Sequence, residues 1–71
     1  MIVTIYTQPT CSKCQVIKEK LTSADIEYRE VDDIETMTKL GIEYTPVLEV
    51  GGKLLDFSEA NKWIQEVKRN G

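Results

Sequence analysis

Apolar positions change their period several times along the chain, and each change marks an element. Ile2-Val3-Thr4-Ile5-Tyr6 is β-branched and aromatic with little polar alternation, the pattern of a strand covered on both faces and therefore central in its sheet. After a Thr7-Gln8-Pro9-Thr10 loop, Cys14, Ile17, Leu21 and Ala24 recur at three- and four-residue steps, one face of a helix over Ser12 to Ser23. Ile26 to Val31 reads as a second short strand. Asp32 or Asp33 then caps a helix carrying Ile34, Met37 and Leu40 on one side, with Gly41 as its stop. Val47-Leu48-Glu49-Val50 and Lys53-Leu54-Leu55 flank Gly51-Gly52, and two glycines tolerate the positive φ angles of a two-residue hairpin turn. Ala60, Trp63, Ile64 and Val67 mark a closing helix, with Ser58 as N-cap in competition with an Asp56/Glu59 capping pair, and Asn70-Gly71 as the exit.

The resulting order is β-α-β-α-β-β-α. A strand-helix-strand unit makes the first two strands parallel with a right-handed crossover, and the hairpin is antiparallel, so the sheet is mixed and four-stranded. A first strand apolar on both faces requires helices on both sides, an α/β three-layer sandwich in which Met37 and Trp63 are core residues.

Length and charge narrow the function. With 71 residues the chain holds one small domain, 1–71, and 41% hydrophobic against 30% charged residues is the balance of a folded globule. Nine basic and twelve acidic side chains leave a net charge of −3, which gives no electrostatic reason to approach nucleic acid or an anionic membrane. No apolar stretch is long enough for a signal sequence or a membrane span, so the expected location is cytoplasmic and the expected state a monomer.

The chemistry lies in Cys11 and Cys14. A bond between them closes too small a loop to staple distant parts of the fold, which points to a chemical role. Cys11 falls at the helix entrance, where first-turn amides lack acceptors and the aligned peptide dipoles favour negative charge by ~0.3–1 kcal/mol. That lowers its thiol pKa, and Lys13 and the Cys14 backbone act in the same direction. Cys11 is thus the expected nucleophile, while Cys14, one turn inside and facing the core, resolves the mixed disulfide. No general base is needed, which suits a chain without histidine. A structural zinc site would require four ligands where one Cys-x-x-Cys supplies two, but a metal ion or iron–sulfur cluster held between two chains through Cys11 remains an alternative of a different class. Tyr44-Thr45-Pro46 precedes the third strand, and a cis bond before Pro46 would turn backbone toward an incoming disulfide. Lys13, Thr45, Pro46 and Ser58 are accordingly the candidate substrate-binding residues.

Taken together, Ile5-Tyr6-Thr7, the cysteine pair, Thr45-Pro46 ahead of a hairpin and the closing helix resemble the glutaredoxin branch of the thioredoxin-fold superfamily. The resemblance implies a thioredoxin-like fold, Cys11 as nucleophile, Cys14 as resolving thiol, Pro46 as a cis-proline, and a dithiol–disulfide oxidoreductase acting on protein or small disulfides. Such an enzyme binds no cofactor; its electrons come from glutathione or from thioredoxin reductase. Between the cysteines the chain has Ser12-Lys13 where glutaredoxins commonly have Pro-Tyr, and Gln8 and Asp56-Phe57 replace a frequent lysine and Gly-Gly. The short length and Phe57 are similar to NrdH-redoxins, which draw electrons from thioredoxin reductase, so the resemblance leaves the donor open.

Overall fold

The computed structural model describes residues 2–70, with the backbone alone at Asn70. Its elements are β1 (Val3–Tyr6), α1 (Ser12–Ser23), β2 (Arg29–Val31), α2 (Ile34–Lys39), β3 (Val47–Val50), β4 (Lys53–Leu55) and α3 (Phe57–Asn70), in the order expected. The strands lie side by side as β2-β1-β3-β4, so β1 is interior. It runs parallel to β2 and antiparallel to β3, and β3 pairs antiparallel with β4.

The two-sided character of β1 divides the core. Val3 and Ile5 join Ile17 and Leu21 of α1, Leu48 and Leu55 of the hairpin, and Ala60 and Ile64 of α3. Tyr6 belongs to a smaller cluster with Val47 and Met37 of α2. Helices α1 and α3 therefore cover one face and α2 the other. Ile5, Ile17, Leu21 and Leu48 have almost no exposed surface, and each fully buried side chain of this size contributes ~1.5–3 kcal/mol relative to exposure. Trp63 packs half-buried at the edge of the larger cluster.

Helix ends follow their local chemistry. At the end of α1, the Asp25 amide donates to the Thr22 carbonyl and the Ile26 amide to the Leu21 carbonyl, with Asp25 at φ 58°. The end of α2 repeats this arrangement, Gly41 to Thr38 and Ile42 to Met37, with Gly41 at φ 76°. Both are Schellman stops closed by an apolar contact. The first explains why β2 starts at Arg29 and not at Ile26: the Ile26 amide is committed to the helix end before the ladder begins. In the hairpin Gly51 and Gly52 take φ 57° and 81°, the left-handed pair that such a turn demands.

Three expectations are corrected. Ile2 is exposed and lies before β1. Of the apolar trio on α2, Met37 alone is buried, while Ile34 and Leu40 are 68% and 45% exposed. At 100° per residue the trio spreads over a third of the helix circumference, and six residues present only its middle to the sheet. Ser58 does not cap α3: the Asp56 carboxylate accepts from the Glu59 amide at 2.8 Å and the Glu59 carboxylate from the Asp56 amide at 3.1 Å, a complete capping box. The expected exit at Asn70-Gly71 falls partly outside the described residues, since α3 continues through Asn70.

Asp33 caps α2, accepting from the backbone amide and the hydroxyl of Thr36. Those two bonds, the hydroxyl's first, hold its carboxyl below the ordinary value. Folding thus favours the ionised form, and the stability it contributes is present above the ordinary carboxylate pKa and fades as pH falls through the lower folded value. Asp33→Asn keeps the cap but cannot titrate. Urea unfolding of wild type and Asp33→Asn should show a stability difference at about pH 6 that shrinks by about pH 2.

Candidate active site

Sheet register brings the chemistry to one end of the molecule. Tyr6, the last residue of β1, pairs with Val47, the first of β3, and Leu48 pairs with Leu55, the last of β4. The loop after β1, the segment before β3 and the entrance to α3 consequently meet at this end. Within the first loop the Cys11 amide donates to the Gln8 carbonyl, closing a turn with Pro9 at its second position, where a fixed φ suits it.

That turn delivers Cys11 as the N-cap of α1, with extended backbone at φ −93°, ψ 106°. Its Sγ accepts a hydrogen bond from the Cys14 amide at 3.1 Å, occupying the place of a capping hydroxyl or carboxylate. This donor faces the sulfur while Cys11 is bonded to Cys14. Cys11 is half-buried, whereas Cys14, on the buried face of α1 with Ile17 and Leu21, has no exposed surface. The two sulfurs are joined in a disulfide with Cα atoms 5.2 Å apart. The two cysteines thus differ in exposure.

At the same end of the sheet, Thr45-Pro46 is cis, with Pro46 buried and Thr45 half-buried. An open cavity of about 420 Å³ is lined by Lys13, Tyr44, Thr45, Pro46, Asp56, Phe57 and Ser58. All four residues suggested for substrate binding, Lys13, Thr45, Pro46 and Ser58, line this one cleft, and Lys13 stands between the two cysteines in the sequence. The Lys13 ammonium lies 5.3 Å from the centre of the Phe57 ring, a cation–π contact that bridges α1 to the first residue of α3. Among the described residues, no three His, Cys, Asp or Glu side chains converge as a metal site.

The sequence profile of the glutaredoxin family matches residues 3–55. The chain belongs to the glutaredoxin family. A curated relative, the gene 56 protein of Mycobacterium phage L5, is 50% identical over 30 residues, which is 42% of this chain and 29% of the phage protein. The matched stretch thus spans under a third of that relative's length. Among solved structures, a mutant of the thioredoxin-like protein BC3987 superimposes with a TM-score of 0.73 at 24% identity, covering 89% of this chain and 90% of that one. The NrdH-redoxin from Escherichia coli, described as glutaredoxin-like, gives 0.70 at 21% identity over 87% and 93% of the two chains. Both likenesses place this glutaredoxin-family chain in the thioredoxin-like fold.

Two aromatic residues of this glutaredoxin-family cleft lay outside the candidate set. Tyr44, 62% exposed, and Phe57 form part of its walls. The available signal was their position, one residue before Thr45-Pro46 and at the helix entrance. Behind the cleft, Tyr6 donates to the Glu49 carboxylate at 3.2 Å, and burial, followed by the Glu49 charge and that bond, raises the phenol pKa. Among the described residues no helix is long and apolar enough to cross a membrane.

Proposed function

We propose that this chain is a dithiol–disulfide oxidoreductase. The observation that carries this reading is the inequality of the two sulfurs: half-buried Cys11 accepts the Cys14 amide at the mouth of α1, and fully buried Cys14 stands within bonding distance behind it. In the reduced chain the Cys11 thiolate attacks one sulfur of a substrate disulfide. A mixed disulfide forms and the other substrate sulfur leaves as a thiolate, which takes up a proton. Cys14 then loses its proton, attacks the Cys11 sulfur and releases the second substrate thiol, leaving the Cys11–Cys14 bond. Two electrons have passed to the substrate, and an external thiol or reductase must return them. Membership of the glutaredoxin family and the cis Thr45-Pro46 segment at the same end of the sheet support the same reading.

The donor is glutathione or thioredoxin reductase. The thioredoxin-like activity profile ascribed to the E. coli NrdH-redoxin favours including both in the test. NADPH oxidation is followed with a model disulfide, in one arm with glutathione and glutathione reductase and in the other with thioredoxin reductase alone. Sustained turnover in either arm identifies the donor. If neither arm turns over, and the pre-reduced chain fails to reduce a stoichiometric amount of a small disulfide, the proposed activity is wrong.

A further inference from the structure

A second cavity, of about 140 Å³, adjoins the cleft lined by Lys13, Thr45 and Pro46: Tyr44 and Asp56 line both. Its floor and sides include Ile42, Val47 and Leu54, and its rim carries Glu43, Asp56 and Glu59. The cavity exists because α2 is only six residues long and leaves the β4 side of its face uncovered; Leu54 is 40% exposed there and Tyr44 62%. A volume of ~150 Å³ is that of a benzene-sized group, so this open pocket has room for one leucine or phenylalanine side chain. Among the described residues none of the three rim carboxylates forms an ion pair; Asp56 and Glu59 accept each other's backbone amides in the capping box, and Glu43 has no hydrogen-bond partner. A slot with apolar residues in its lining and three carboxylates beside them, sharing Tyr44 and Asp56 with the neighbouring cleft, is complementary to one kind of occupant.

We propose that this trough selects protein substrates, seating an apolar side chain near the reactive cysteine of a segment that also carries lysine or arginine. The inference rests on thiol–disulfide exchange at Cys11 as proposed above and adds the class of substrate. The cleft holds the segment carrying the disulfide, Tyr44 separates the two compartments, and the apolar side chain enters between Tyr44 and Leu54. Glu43, Asp56 and Glu59 then face its basic neighbours. Rim charges of this kind act chiefly on encounter and lose their effect in salt.

The test uses the full, pre-reduced chain in single turnover against symmetric disulfide dimers of three octapeptides, one with Leu and Lys flanking the cysteine, one with Leu and Glu, and one with Ser and Lys. Hydroxyethyl disulfide serves as a small probe. The Leu/Lys peptide should be reduced about fivefold faster than either of the others at low salt, and its lead over the Leu/Glu peptide should fall to near parity in 1 M salt. Glu43→Lys should erase the preference for lysine and Leu54→Ser the preference for leucine, with hydroxyethyl disulfide reduced at the wild-type rate by both. Thermal melting verifies that both variants are folded. Equal rates for the three peptides, or preferences that persist in both variants, would overturn the substrate assignment while the basic activity stands. Failure of the wild type on hydroxyethyl disulfide would instead overturn the oxidoreductase reading.

Discussion

Cys11→Ser should reduce disulfide reduction by at least about a thousandfold while leaving the fold intact, and Cys14→Ser should preserve the first chemical step and lose the second. The reasoning begins with the cap. Serine is among the best N-cap residues, so Cys11→Ser keeps an acceptor for the Cys14 amide and a stable start to α1, but it exchanges a thiolate for a hydroxyl that does not ionise near neutral pH. Stability and activity therefore separate in this variant. In Cys14→Ser the half-buried nucleophile Cys11 remains, attacks, and cannot be relieved, so one substrate thiol per chain is retained as a mixed disulfide visible by mass spectrometry without reductant. Cys14 has no exposed surface, and a hydroxyl placed there without a partner costs ~1–3 kcal/mol, so Cys14→Ala is the control for lost stability. Trapping at Cys14 in the Cys11→Ser variant, or equal residual turnover in both serine variants, would overturn the assigned roles.

The parts of this site that were legible in the sequence are those encoded by short-range spacing. Cys11, Cys14 and the apolar series Ile17, Leu21 and Ala24 share one helix, and a three- and four-residue period is enough to place one sulfur at its entrance and the other on its buried face. Gly51-Gly52 and Gly41 were equally readable, because a positive φ at each leaves a compositional trace. The walls of the cleft were not. Tyr44 and Phe57 meet Lys13 only because β1, β3 and β4 are registered to end together, and no local pattern states that register. Nor could periodicity reveal that α2 would be too short to bury Ile34 and Leu40. That shortness leaves Leu54 and Ile42 lining the open trough beside the reactive pair. The contest between Ser58 and Asp56 for the α3 cap was decided by Glu59, whose side chain reaches back to the Asp56 amide and makes the cap reciprocal.

Ile17→Ala should remove ~2–5 kcal/mol of stability, a large share of the roughly 4–10 kcal/mol expected of a domain of this length. Ile17 has no exposed surface and lies one turn beyond Cys14 on α1, within the cluster that joins β1, the hairpin and α3. Truncation there takes apolar surface out of the cluster those elements share, and a thin core has little depth from which to refill the void. Val16, its neighbour at 39% exposure, sets the control: Val16→Ala should change stability by no more than about 0.5 kcal/mol. Urea unfolding of the two variants at one pH reads both values. The comparison also bears on function, because the helix that Ile17 anchors is the one whose first turn holds the Cys11 sulfur. In Ile17→Ala the disulfide reductase rate per folded molecule should stay near wild type while the folded fraction falls on warming. A loss of rate at temperatures where the variant remains fully folded would mean that core packing under α1 tunes the reactive sulfur directly, beyond keeping its helix in place.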